Sequence, residues 1–258
     1  FKLALKSLKT SKMRAFLTML GIVIGVGAVI VILSLGNGMT NMMNSQFEKM
    51  GSNWIQVMTY GRGTGDTRDV DVEDLYELVD KYPQYLTGVT PYVSASAKVR
   101  YQTDDYDRTS VYGVSEAFFK EDTKGTMQGE TLAEGRFLSY IDVDRHQNVC
   151  VIGDYLNRVA FGGNGLGQTL KIGANKFRIV GVLAAKVSDP DMQQGSDDDC
   201  VYLPYTTAMR LSSQSIVSNY AAVMEDESRA NEAKSAVEGE LQHLLGSDNG
   251  YYVYSASE

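Results

Sequence analysis

The sequence predicts an α+β protein: an N-terminal transmembrane helix and stalk, then an extracytoplasmic domain in which a split α/β subdomain is interrupted by a mostly β insert. Three observations predict it. Residues 15–35, AFLTMLGIVIGVGAVIVILSL, hold no charge. Five cations and no acid precede them. After them, a strand–helix–strand pattern at each end of the chain brackets a run of short strands with glycine-rich turns.

The apolar stretch comes first. Its 21 residues span roughly 31 Å as a helix, the thickness of a bilayer core. A soluble domain seldom gives one helix an apolar surface all round. Lys2, Lys6, Lys9, Lys12 and Arg14 precede it. Such cations stay on the cytoplasmic side, which puts residues 36–258 outside the cell membrane. A cleavable signal peptide shares the basic start, but its apolar core is shorter and ends in a small-residue site. Here the chain continues Gly36-Asn37-Gly38-Met39.

Residues 1–14 read as a short basic interface helix, with Phe1, Ala4, Leu5 and Leu8 on one face and Lys2, Lys6 and Lys9 on another. An ordinary basic stop signal gives the same pattern. Within the span, Gly21 and Gly25 form a small-xxx-small pair with Gly27 nearby, as at a helix–helix interface. Glycine is also simply common in membrane helices. Residues 36–51 continue as a stalk, where Met39, Met42, Met43, Phe47 and Met50 recur at helical spacing as a packing stripe and Gly51 ends the run.

The outer domain is acidic. The chain carries a formal net charge of −8, and the first fourteen residues carry +5, leaving −13 for the rest. That balance excludes a nucleic-acid partner, which needs a basic footprint. The chain has 4 Pro and 16 Tyr, a composition that folds rather than solvates.

Within it, NWIQVMTY at 53–60 alternates as a half-buried strand, and GRGTGDTRD at 61–69 is a mobile loop. Asp71, with Asp74 three residues on, caps a helix over 72–81 that Pro83 follows. Residues 89–102 and 108–114 form strands, which places 52–114 in the first half of the split subdomain. The insert, 115–215, holds strands at Val149–Ile152, Thr169–Ile172, Lys176–Leu183 and Cys200–Leu203. Short helices fit at 153–160 and 205–212, and Gly173-Ala174-Asn175-Lys176 marks a hairpin. The second half, 216–258, carries a strand at 218–224 and a helix at 226–245 with Ala230, Ala233, Val237, Leu241 and Leu244 inward. Gly246 stops that helix and 251–255 is a last strand.

Chemistry-bearing motifs are sparse. No G-x-x-x-x-G-K-[ST] loop is present. Gly162 to Gly167 leads into a strand, so it is a turn rather than a dinucleotide loop. Asp189, Asp191, Asp197, Asp198 and Asp199 lack the ligand spacing of a calcium loop and read as a solvated acidic run. His146 and His243 stand apart from any nucleophile. Cys150 and Cys200 each sit in a strand, where a small buried thiol fits as an ordinary core residue; a disulfide is chemically allowed outside the cell. No catalytic, cofactor or metal residue emerges.

Several blocks in order resemble the MacB/FtsX-like permeases of ABC transporters: LKTSKMRAFLTMLGIVIGVGAVI, MGSNWIQV, GVSEAFF, LAEGRFLS, VCVIGDYLNRVAFG, GQTLKIGANKFRIVGVL and DDCVYLPYTTAMRL. The resemblance covers nearly the whole chain. It implies a porter-like split subdomain and a sabre-like insert. It also implies a non-catalytic permease subunit that works as a dimer with a cytoplasmic ABC ATPase subunit or domain. In that scheme ATP hydrolysis moves the membrane helices and the outer domains follow, exporting peptides, antibiotics or lipoproteins by mechanotransmission. A membrane-fusion or adaptor protein is a further implied partner. Such permeases have three more spans after the outer domain, so a chain running from Phe1 to Glu258 reads as a fragment. The competing reading is a single-span, membrane-anchored binding or sensor module.

Overall fold

In a computed structural model the described residues are 12–48, 54–60, 70–120, 124–246 and 250–255. The chain divides into two units, meeting at Phe47 and Glu48. Unbroken helix makes up the first. Helix α1 runs Lys12–Glu48, 37 residues and so roughly 55 Å. Its segment Phe16–Ser34 has a mean hydropathy of 2.8 and no buried residue. Without packing inside this chain, that surface suits lipid or another helix. The Thr18 hydroxyl donates to the Arg14 carbonyl at 2.8 Å, so the one hydroxyl near the start of the span is satisfied locally. Gly36 and Gly38 leave the helix unbroken, so span and stalk are one rod. The proposed interface helix falls almost wholly outside the described residues, and only Lys12–Arg14 are seen, as the first turn of α1. Gly51 and loop 61–69 also lie outside them.

The second unit begins with a four-stranded antiparallel sheet. Its strands are β1 (Trp54–Thr59), β2 (Leu86–Pro91), β14 (Asn219–Met224) and β15 (Tyr251–Ser255), in the order β15-β1-β14-β2. Helix α2 (Val72–Lys81) joins β1 to β2, and α6 (Ala230–Leu245) joins β14 to β15. The α2 start is as the sequence predicts: the Asp71 amide donates to Asp74 Oδ2 at 2.9 Å. Leu75 and Leu78 of α2 and Val237 and Leu241 of α6 join Ile55, Val57, Val89 and Ala222 in one apolar cluster. Two expectations need correction. Leu245, not Leu244, completes the buried stripe of α6, because it continues the i+4 row of Val237 and Leu241, and the helix begins at Ala230 after a 3₁₀ turn rather than at 226. Strand β1 is not half-exposed: Trp54 and Gln56 are as buried as Ile55 and Val57, since β1 lies between two neighbours in a covered sheet.

The larger sheet has nine strands. They are β3 (Val93–Ser94), β4 (Val99–Tyr101), β5 (Asp104–Tyr106), β6 (Ser110–Val114), β9 (Leu132–Gly135), β10 (Val149–Ile152), β11 (Thr169–Ile172), β12 (Asn175–Leu183) and β13 (Cys200–Pro204). The order is β3-β6-β13-β10-β12-β11-β4-β5, with β9 added against β12. A small hairpin of β7 (Phe119–Lys120) and β8 (Gly125–Thr126) stands apart. Short helices α4 (Asp154–Phe161) and α5 (Tyr205–Leu211) pack on the larger sheet, and α3 (Tyr140–Asp144), which has no counterpart in the sequence reading, packs against α5.

Here the sequence-derived boundary at 114 shifts. Strands within 93–114 pair in the larger sheet: β6 runs parallel to β13, Ser110 to Val114 against Cys200 to Pro204. The chain crosses between sheets at Tyr92, whose amide still donates to the Asn219 carbonyl of β14 at 2.9 Å. Period-two alternation announces a strand but not its partner, and here the partner lies 90 positions away. The hairpin expected at 173–176 is present, with Ile172 opposite Asn175 and Gly173 at φ +59°.

Candidate functional site

Two regions carry arrangements beyond simple core packing: the N-terminal apolar helix and the aromatic, polar side of the larger sheet.

On α1, Gly21 and Gly25 lie one turn apart on the same face. A Cβ at Gly21, Gly25 or Gly27 would meet nothing within 4 Å. The glycines leave a shallow, open stripe on which a second helix backbone can approach closely. Met39, Met42, Met43 and Phe47 lie on the helical backbone of the same rod, but their side chains fall outside the described residues.

The central strands β10 and β13 of the larger sheet are buried on both faces. One face contributes Cys150, Ile152, Val201 and Leu203 to the main apolar cluster. The other carries an aromatic set: Tyr202 lies 5.1 Å from Phe118, 5.8 Å from Tyr112 and 6.0 Å from Phe137, ring centre to ring centre. Inside that set runs a polar chain. The Tyr202 hydroxyl donates to Gln128 Oε1 at 2.7 Å, and Gln128 Nε2 donates to the Tyr92 hydroxyl at 2.9 Å. The Thr126 hydroxyl donates to the Glu130 carboxylate. Lys186 Nζ donates to the Gln128 carbonyl at 2.7 Å and so closes the group. Burial pushes the Glu130 carboxyl up, and the Thr126 hydroxyl and backbone N–H only partly counter it. Burial also raises the Tyr92 and Tyr202 phenols well above their ordinary range. The chain ties the β2–β3 junction, the loop after β8 and strand β13 together. No local pattern in the sequence announces it, because Tyr202 and Gln128 are 74 positions apart.

The acidic run is not simply solvated. Asp198 and Asp199 are each 1% exposed. Asp198 accepts from the amides of Lys186 and Val187, both at 2.8 Å, and from Gln193 Nε2 at 3.3 Å. Asp199 accepts from the Thr109 hydroxyl at 2.5 Å and the Gly195 amide at 2.8 Å. Burial raises the Asp199 carboxyl, and those two donors partly offset it. The carboxylates therefore organise the loop before β13. Their lone pairs are occupied by protein donors, and among the described residues no group of three or more His, Cys, Asp or Glu is placed to hold a metal.

Cys150 and Cys200 are both buried and free. Antiparallel pairing sets Val151 opposite Tyr202 and Ile152 opposite Val201. Cys150 therefore shares a face with Val201, and Cys200 shares the other face with Tyr202. Neighbouring strands cannot bridge thiols on opposite faces of one sheet. His146 ends α3 in the left-handed region at φ +49°, and His243 is exposed near the end of α6.

Comparison with known proteins bears on this architecture. Residues 15–240 match the MacB-like periplasmic core domain. The macrolide export ATP-binding/permease protein MacB of Acinetobacter baylyi is 34% identical over 247 residues, covering 92% of this chain and 35% of that protein. Its counterpart in Vibrio parahaemolyticus is 34% identical over 255 residues, covering 96% and 36%. The chain thus spans about a third of the length of these curated relatives. Among solved structures, the periplasmic region of MacB from Actinobacillus actinomycetemcomitans superposes with a TM-score of 0.62 at 21% identity, covering 81% of this chain and 92% of that one. The extracellular domain of the noncanonic ABC-type transporter YknZ from Gram-positive bacteria gives 0.60 at 17% identity, covering 79% and 100%. These two share the fold. A lipid-compatible N-terminal helix followed by this domain is the make-up of a membrane protein with an extracytoplasmic part, and the chain belongs to the MacB-like periplasmic core domain family of ABC-type transporter permeases.

Proposed function

We propose that this chain is the first span and outer domain of a permease that couples cytoplasmic ATP hydrolysis to movement outside the membrane. The supporting observation is the unbroken 37-residue helix, which continues well past the apolar segment ending at Ser34. A rigid rod of this kind transmits displacement with little loss, because bending it requires breaking i→i−4 hydrogen bonds. ATP is bound and hydrolysed on a partner domain or chain, as the name of the MacB relatives implies for those proteins. Gly21 and Gly25 form the contact to a second permease copy or to a neighbouring span. Met39, Met42, Met43 and Phe47 pack the stalk. The basic N-terminus faces the cytoplasm and meets the ATPase, and an adaptor docks on the outer domain. Exported cargo is a peptide, an antibiotic or a lipoprotein-like molecule, and it moves by mechanotransmission rather than by chemistry in this domain.

The test is reconstitution of the full-length gene product with its ATPase in nanodiscs. ATP turnover and cargo release are measured with and without the outer domain. Strong dependence of both on that domain is expected. ATP turnover indifferent to its removal, or failure to associate with an ATPase, overturns the reading in favour of a membrane-anchored binding module.

A further inference from the structure

The outer end of the nine-stranded sheet carries an arrangement that neither the polar chain nor the membrane helix explains. Strands β12, β11, β4 and β5 lie side by side and antiparallel. Their register sets Lys176 opposite Lys171, Lys171 opposite Arg100, and Arg100 opposite Asp105. Directly opposed residues share a face, at roughly 4.5–5.5 Å between Cβ atoms. Leu170, Ile172, Phe177 and Val99 point the other way into the core, so the charged row faces solvent. Three cations therefore stand in one cross-strand line over roughly 10 Å.

Such a line is locally unfavourable, because like charges directly opposed destabilise a sheet. Arg100 is ion-paired with Asp105, and Lys98 lies 3.4 Å from Asp107. Among the described residues, no carboxylate pairs with Lys171, Lys176 or Arg210. Two hollows flank the row. A cleft of about 490 Å³ is lined by Lys98, Arg100, Lys171 and Arg210, and an adjoining one of about 300 Å³ by Arg100, Lys171 and Lys176. No Asp or Glu lines either. This occurs in a chain whose charge beyond the first fourteen residues sums to −13.

We propose that this basic row binds a phosphate-bearing ligand, with Lys171 and Arg100, which line both hollows, holding the phosphate oxygens, Lys176 adding charge from the smaller hollow and Arg210 from the larger. Phosphate matches the site because a terminal or monoester phosphate carries more than one negative charge near neutrality and several acceptor oxygens. Two lysines act as point charges that follow the ligand, while the Arg100 fork is already oriented by Asp105. An anion whose oxygens reach two or more of these cations relieves part of the repulsion along the row. The source is either a soluble phosphate chain or a phospholipid headgroup.

The experiment uses the full chain in non-ionic micelles. Isothermal titration is run with inorganic tripolyphosphate and, separately, with short-chain dihexanoyl phosphatidic acid. Saturable binding that weakens with salt is expected for at least one of them. Tripolyphosphate alone identifies a soluble phosphate chain, and binding of phosphatidic acid identifies a headgroup. Lys171→Glu is expected to weaken binding by at least about tenfold. Lys171→Arg retains it, and the matched reversal Arg145→Glu, on an exposed position outside the row, leaves it within about twofold. Because Lys171→Glu can perturb the sheet, Lys171→Thr supplies a second measurement. It is expected to melt higher than the wild type without ligand, and to lose the wild type's melting rise with ligand. Absence of saturable binding to both probes overturns the proposal. So does equal loss in Lys171→Glu and Arg145→Glu, or a ligand-induced melting rise undiminished in Lys171→Thr.

Discussion

The Tyr202 hydroxyl donates to Gln128 Oε1 at 2.7 Å, joining the centre of β13 to the loop after β8 inside an aromatic shell. Removing that hydroxyl leaves a buried amide oxygen without its donor. Tyr202→Phe is expected to destabilise the outer domain by about 1–3 kcal/mol, read as the midpoint of urea unfolding. Gln128→Leu strips partners from both Tyr92 and Tyr202 and should cost at least as much. A double variant that costs no more than Gln128→Leu alone is the signature of one shared network.

Glu130 gives the pH dependence its sign. Its carboxyl is raised above the ordinary value of 4.5, chiefly by burial. Below that value both folded and unfolded forms are protonated and the burial cost is absent. As pH rises, the unfolded form ionises first, so folding loses stability until the folded carboxyl also ionises. Glu130→Gln removes this loss. Relative to the wild type, the variant should therefore gain stability as pH rises through the ordinary value of 4.5, measured by urea midpoints at a series of pH values. A difference that stays flat with pH contradicts the assignment.

Gly113 lets α5 rest directly on β6. A Cβ there would lie 2.3 Å from Ala208 Cβ and 2.9 Å from Tyr205 Cα. Neither atom is the end of a flexible chain, so helix or strand must move. Gly113→Ala is expected to cost about 1–3 kcal/mol, with a lower melting temperature and faster amide exchange in α5.

Asp198 holds the turn that follows β12. Its two oxygens accept from the Lys186 and Val187 amides and from Gln193. Asp198→Ala leaves both amides without their acceptor and should cost about 1–3 kcal/mol. Hydrogen exchange is expected to quicken across 184–199 while β14 and β15 keep their protection.

In the membrane, Gly21→Leu and Gly25→Leu have open space to occupy within this chain. They should insert and express normally. Coupled ATP turnover of the full transporter is nevertheless expected to fall several-fold, because the larger side chain holds the partner helix away. Unchanged turnover at normal expression removes these glycines from the interface.

Much of this chain announces itself locally. The span 15–35, the Asp71–Asp74 start of α2, the Gly173 hairpin and the Gly246 stop of α6 each depend on residues within a few positions. Their physics is hydropathy, capping and turn geometry, which a window of sequence contains. Gln56 and the pair Asp198 and Asp199 mislead for the converse reason. A polar side chain in a strand or an acidic loop predicts solvent, and long-range neighbours bury it instead.

The order of strands was settled at a different scale. Strands 93–114 alternate just as strands of the smaller sheet do, yet β6 pairs with β13 and β4 with β11. Alternation has one period for every partner, so it cannot choose among them. The same pairing brings Tyr202 to Gln128, sends Cys150 and Cys200 to opposite faces, and lines up Lys176, Lys171 and Arg100. Local chemistry dictated the membrane helix and most individual elements. Contacts 70 or more positions apart created the buried polar chain and set Arg100 beside the Lys171–Lys176 hairpin.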